Sequence, residues 1–289
     1  MKKNILLLLF AAIISAAVVS CSEKDLSDTS AIKDAIIERN DFDIWIEQNY
    51  TAPYNIEVLY RMKDIESDMN YNLTPANFEK SVQLAKLTLY LCVEAYDEIT
   101  GDKSFIKAYF PKILNFIGSS AVRNNGTEVI GTAEGGRKIT LYAVNTLNIS
   151  NMAHMNQYFF KTQHHEFAHI LNQTKPYTTD FKAISGSKYV GDSWNTAYNS
   201  TTALQAGFIS PYASSSDGED FVELICIYVT NSISAWNTML TTAGTTGRPI
   251  INAKFDIVKT YMLNSWDIDL DQLRDAVQRR QGEIHLLGL

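Results

Sequence analysis

Between Asn151 and Gln173 the chain reads NMAHMNQYFFKTQHHEFAHILNQ, about 20 residues with no proline or glycine that can form one unbroken helix. Inside it stands His165-Glu166-Phe167-Ala168-His169. A helix turns about 100° per residue, so His165 and His169 lie one above the other on a single face. Two imidazoles so placed can grip one Zn²⁺ at roughly 2.0–2.1 Å each. Glu166 then reaches in from the side as a general base for a water whose pKa the metal lowers toward about 7. With five histidines and 14 glutamates in 289 residues, HExxH is expected by accident only about 0.004 times per chain. The pair therefore reads as metal ligands rather than as packed core histidines. His164 points about 100° away, toward packing or a hydrogen bond. His154 lies about 16 Å up the helix, too far for the same ion, and His285 is a lone structural or exposed histidine.

A catalytic zinc takes three protein ligands and keeps one position open. The stretch SSSDGEDFVELICIYVTNSISAW begins with helix-capping residues and runs into an apolar helix with Glu219 and Glu223 four apart on one face. No charged residue follows from Leu224 to Gly247, so that helix is predicted to be buried. A buried carboxylate needs a cation beside it or it protonates, and a zinc ion supplies one. Glu219 is the expected third ligand. Glu223, one turn deeper, is expected to accept a hydrogen bond from the far nitrogen of a ligating histidine, His165, and so fix its tautomer. The two glutamates could exchange roles, and Ser216-Asp217-Gly218-Glu219 also fits a capping box.

The first residues, MKKNILLLLFAAIISAAVVSC, place two lysines before an uncharged apolar run. Residues 1–20 read as a secretory signal peptide rather than a membrane span. Val18-Val19-Ser20-Cys21 resembles a bacterial lipobox, with Cys21 the lipidated residue; an ordinary signal peptide cut nearby is the alternative. Residues 21–40 read as a flexible tether and 41–289 as one domain, held to a membrane through the N-terminal lipid. The formal charge of −7 becomes −9 once Lys2 and Lys3 are removed, and no basic cluster remains. That argues against a nucleic-acid partner. Cys92 and Cys226 sit in apolar runs and read by default as buried free thiols, with a disulfide, which is allowed outside the cytoplasm, left open by the sequence.

The order of elements is strands first and helices later, an α+β domain. A strand is predicted over Tyr54–Met62, then a helix with Pro75 in its first turn, then strands in YFPKILNFIGSSAV and EVIGTAEGGRKITLYAVN, with AEGGRK turning a hairpin. Helices are predicted over about 153–173, 217–232, 248–264 and 267–281. Residues 175–216 read as a long loop, and a loop of that length is more often functional than idle.

HExxH followed about 50 residues later by a helical glutamate is the gluzincin arrangement. HHEFAHILNQ with GFISPYASSSDGEDFVELICIYV, and DIWIEQNYTAPYNIEVLYRMKD near the start, resemble the zinc metallopeptidase lipoproteins of Bacteroidetes associated with TonB-dependent substrate import. The catalytic segment is similar in layout to the C-terminal domain of anthrax lethal factor, where a tyrosine stands seven residues before the ligand glutamate. The resemblance implies a zincin-like fold with the active-site helix in the C-terminal half. It implies His165, His169 and Glu219 as ligands of one Zn²⁺, Glu166 as base, and Tyr212 facing the oxyanion. Tyr189 and Tyr198 compete for that last role. It further implies a peptide or protein substrate, importer components as partners, and an outer-membrane lipoprotein on the periplasmic or surface face. The leading expectation is a zinc-dependent hydrolase of peptide bonds. The competing one is a non-catalytic zinc-containing accessory lipoprotein of an importer, whose ion Asp217 or Asp192 would close as a fourth ligand.

Overall fold

The structure is a computed structural model that describes residues 38–123, 128–129, 131–134 and 136–289. The predicted signal peptide, Cys21 and the tether up to residue 37 lie outside the described residues. At Asn40 the side-chain oxygen accepts the Asp43 N–H, and the Asp43 carboxylate accepts the Asn40 N–H. This reciprocal cap starts α1 (Asp41–Ile46), which continues through a π-turn (Glu47–Thr51) and a last turn (Ala52–Tyr54). Asn55, in the left-handed region at φ 57°, ends it. The strand predicted over Tyr54–Met62 shrinks to β1 (Glu57–Leu59) because Tyr54 belongs to the helix, its ring buried and its hydroxyl on Asp97.

Next come α2 (Phe78–Thr88), a π-turn (Leu89–Val93) and α3 (Glu94–Thr100) in one helical run. Asn77, not Pro75, opens it, because only Asn77 offers an acceptor to the free N–H of Lys80. Pro75 instead forms a bridge with Ile117. A helix absent from the sequence expectation, α4 (Ser104–Tyr109), precedes β2 (Ile113–Phe116). β3 (Ala121–Val122) and β4 (Glu128–Val129) form a small antiparallel pair. β5 (Gly131–Glu134) and β6 (Lys138–Leu141) form the predicted hairpin. The main sheet runs β1-β2-β6-β5, parallel except for β5, which is antiparallel at the edge.

α5 (Met152–Met155), a π-turn (Asn156–Phe160) and α6 (Lys161–Thr174) make the helical run predicted from the HExxH segment. α6 lies against β5 on one side, and a Cβ on Gly131 would come 2.4 Å from the Thr162 methyl. Glycine alone lets the edge strand approach this closely. The predicted loop 175–216 is largely folded, as α7 (Asp180–Ser185), α8 (Trp194–Ala197), α9 (Ser200–Ala206) and short 3₁₀ turns including Tyr212–Ser214. These pieces span one or two turns each, too short to show a helical period.

α10 (Asp217–Thr230) is capped by Ser216 and is buried from Asp220 onward, as its apolar run predicts. α11 (Ile233–Trp266) is far longer than the 248–264 expected and is kinked at Gly244, whose φ of 66° suits glycine. Its first part, a Ser/Thr-rich run, turns helical behind the Ser232 cap. α12 (Leu270–Gly282) starts at the Asp269 cap. α10 packs on α6, α11 and α12, and α11 packs on α9. The fold is α+β with a helical C-terminal half that carries the HExxH helix. Among the described residues no helix is long and apolar enough to cross a membrane.

Candidate active site

α6 is held in place by its apolar back. Phe167 is fully buried, with its ring 5.0 Å from both Tyr96 and Phe110. That face fixes which way the opposite one looks, and there His165 and His169 stand with ring centroids 4.8 Å apart. α10 crosses this face. Ser216 accepts the Glu219 N–H at 3.2 Å, so the serine half of the capping box is made. The Glu219 carboxylate does not return to the cap. Its Oε2 lies 3.0 Å from His165 Nε2 and 3.3 Å from His169 Nε2. One turn deeper, Glu223 Oε1 lies 3.0 Å from His165 Nδ1. Glu219 therefore shares a corner with both Nε2 atoms, whereas Glu223 meets the far nitrogen of His165.

A tetrahedral zinc with bonds of 2.0–2.1 Å separates its ligand atoms by about 3.3 Å. The 3.0 and 3.3 Å contacts of Glu219 match such an edge, and the His165, His169 and Glu219 atoms lie within 4.8 Å of one another. These residues fit the ion. Burial opposes a charge on His165, yet the Cys226 thiol, Glu219 and Glu223 around it raise its pKa well above the ordinary value. The place calls for a cation. Burial likewise opposes ionisation of Glu219, but hydrogen bonds from His165 and His169 outweigh it and bring the carboxyl to about 2. His165, Glu223 and Cys226 form a second grouping of possible ligands, but the Lys161 ammonium, 2.9 Å from Glu223, already supplies the positive charge there.

A cavity of about 350 Å³ opens beside His165 and Glu166. It is lined by Trp194, Pro211 and Tyr212 from the 175–216 segment and by Val129 and Gly131 from β4 and β5. Burial raises the Glu166 pKa above the ordinary carboxylate value. The Tyr212 ring lies 5.9 Å from the His165 ring, with Trp194 edge-on at 5.1 Å. Burial and the Glu219 charge push its phenol up to about 12. The competing tyrosines are engaged elsewhere: Tyr189 donates to Asp220 at 2.9 Å, and Tyr198 packs on Phe208. The fourth ligands considered for a closed site are elsewhere too. Asp217 is held by Tyr177 and Lys182 at 3.1 Å each, and Asp192 is exposed.

The remaining histidines and cysteines behave as their sequence context implies. His164 is buried between Tyr96 and Cys92. His154 stacks on Tyr158, and His285 is exposed. Cys92 and Cys226 are buried and free. Sequence reasoning missed Lys161, Ser210, Trp194 and Cys226 as neighbours of the site. For Lys161 a signal existed, since it stands four residues before His165 on the same helical face.

The family model described as "Putative zinc-binding metallo-peptidase" matches residues 35–271. The chain belongs to this family of zinc-binding metallo-peptidases, and its cofactor is Zn²⁺. It is similar to a crystal structure from Bacteroides caccae ATCC 43185 that bears the same description, at 40% sequence identity and a TM-score of 0.74. That match covers 87% of this chain and 97% of the other. No functionally curated protein matches the chain.

Proposed function

We propose that the chain is a gluzincin-type peptidase in which His165, His169 and Glu219 hold one Zn²⁺ and Glu166 is the general base. The observation that carries the reading is one Glu219 oxygen lying 3.0 and 3.3 Å from the two Nε2 atoms, with Glu166 beside them at the cavity. When bound, zinc supplies a Lewis acid for the scissile carbonyl and lowers the pKa of water at the site. Glu166 accepts the proton as that water attacks and returns it to the departing amine. Tyr212 stays protonated at neutral pH, its phenol pushed up to about 12, and donates to the developing oxyanion. Glu223 accepts the His165 Nδ1–H and so would leave the Nε2 lone pair for the ion shared with His169 and Glu219.

A peptide suits the cavity because, among the described residues, β5 is an edge strand and its Gly131 lines the cavity, so an extended chain can add to that edge through main-chain hydrogen bonds. The test is a peptide-library cleavage assay on the zinc-loaded chain and on Glu166→Gln. The variant should retain zinc and lose at least about 10²-fold in turnover. Full activity in Glu166→Gln would remove the base assignment.

The lipobox supports anchoring by a lipid on Cys21 in the cell envelope, at the outer membrane and facing the periplasm or the surface. Association with TonB-dependent importer components rests on the resemblance of the sequence alone. Metabolic labelling with a fatty acid should mark the wild-type protein and leave Cys21→Ala unmarked; equal labelling of both would refute the anchor.

A further inference from the structure

The Glu223 carboxylate has more partners than orienting one ring requires. It is 1% exposed, and both of its oxygens are engaged. Oε1 faces His165 Nδ1 at 3.0 Å, while Oε2 accepts from Lys161 Nζ at 2.9 Å and from Ser210 Oγ at 2.6 Å. A buried carboxylate held on one oxygen can still rotate about its last bond. Held on both, from three directions, it has one orientation, and a fully satisfied buried network of this kind rigidifies its surroundings.

Each partner belongs to a different part of the site. Lys161 stands on α6 one turn before His165, so Glu223 spans two positions of the metal-facing side of that helix. Ser210 lies outside both helices. Its oxygen also accepts the Ala213 N–H at 3.1 Å, which ties it to the turn Tyr212–Ser214. One carboxylate thus touches the ring at the metal position, the helix that carries that ring, and the anchor of the turn that carries Tyr212.

We propose that Lys161 and Ser210 are positioning residues that clamp Glu223, and thereby set the plane of the His165 ring at the metal and the register of the Tyr212 turn against it. The inference rests on His165 as a zinc ligand. Removing Lys161 leaves the buried Glu223 charge without its cation. Removing the Ser210 hydroxyl frees Oε2 on one side and releases the Ala213 N–H.

The test measures zinc dissociation constants by chelator competition on the full-length chain, with the thermal midpoint of the metal-free protein as a check on folding. Outer partners of metal ligands are worth about 10- to 100-fold in affinity. Lys161→Met and Ser210→Ala should each weaken zinc by about 10-fold or more, and Lys161→Arg, which keeps the ion pair, should recover most of the loss. In a Glu223→Gln background neither Lys161→Met nor Ser210→Ala should cost anything further, because both act through that carboxylate. The visible spectrum of the cobalt-substituted chain should shift in Ser210→Ala, a signature that loosening elsewhere in the fold would not produce. Unchanged zinc affinity in both single variants, or losses that persist undiminished in Glu223→Gln, would overturn the proposal. The readout is affinity, so a chain without peptidase activity still gives a result. Failure of the underlying site reading has its own mark, zinc affinity unmoved by His165→Ala, and that result would remove the basis of the clamp as well.

Discussion

Glu166, Glu219 and Glu223 lie around the same two imidazoles, yet their surroundings separate them. Burial raises the pKa of Glu166, and among the described residues no cationic side chain is bonded to it. Glu223 is buried more deeply, but the Lys161 charge and the His165 and Ser210 hydrogen bonds hold its carboxyl well below the ordinary range. Of the two, Glu166 is the one that takes a proton more readily; Glu223 stays an anion that holds a ring. Tyr212 is a further residue whose place implies a role. Tyr212→Phe should lower turnover by about 10²–10³-fold, the worth of one oxyanion donor, with zinc content unchanged. Loss of zinc in that variant would give Tyr212 a different job. His165, Glu166 and His169 were legible in the sequence because their spacing is a local property of one helix. Ser210 and Trp194 were not, because no period links them to α6 and only the folded chain brings them there.

At the scale of elements, α6 is amphipathic in an unusual sense: one side faces the metal position and the other faces an aromatic cluster. His164 belongs to that second side, buried against α3 through Tyr96 and beside Cys92 of the preceding π-turn. Burial lowers its pKa from 6.5 to about 4. Above about pH 6.5 the ring is neutral in the folded and unfolded chain alike, and the fold keeps its full stability. As the pH falls from about 6.5 to about 4 the unfolded chain takes up a proton that the folded chain refuses, and about 3 kcal/mol is lost. Urea unfolding of the metal-free chain across that window should show the loss, and His164→Gln should flatten it. An equally steep acid limb in His164→Gln would contradict the assignment.

Element ends were the least legible feature. Capping residues Asn77 and Ser232 decide where α2 and α11 begin, against the expected starts around Pro75 and residue 248. The helices of the 175–216 segment were hidden by their shortness. β1 was overestimated because a residue rich in strand propensity, Tyr54, is claimed by tertiary burial in the preceding helical turn.

Across the whole molecule, the order of strands and then helices and the uncharged stretch after Glu223 were enough to foresee an α+β fold with a buried second helix beside the HExxH helix. The contribution of distant parts was not foreseeable: an edge strand near residue 131, a helix beginning at 161 and a turn near 212 line one cavity. The most direct test of the account is an anomalous difference map, recorded at the zinc absorption edge from crystals of the zinc-loaded chain. The account predicts one peak per chain, about 2.0–2.1 Å from His165 Nε2, His169 Nε2 and a Glu219 oxygen. A peak on the Glu223 and Cys226 side of the His165 ring, or none within bonding distance of Glu219, would contradict it.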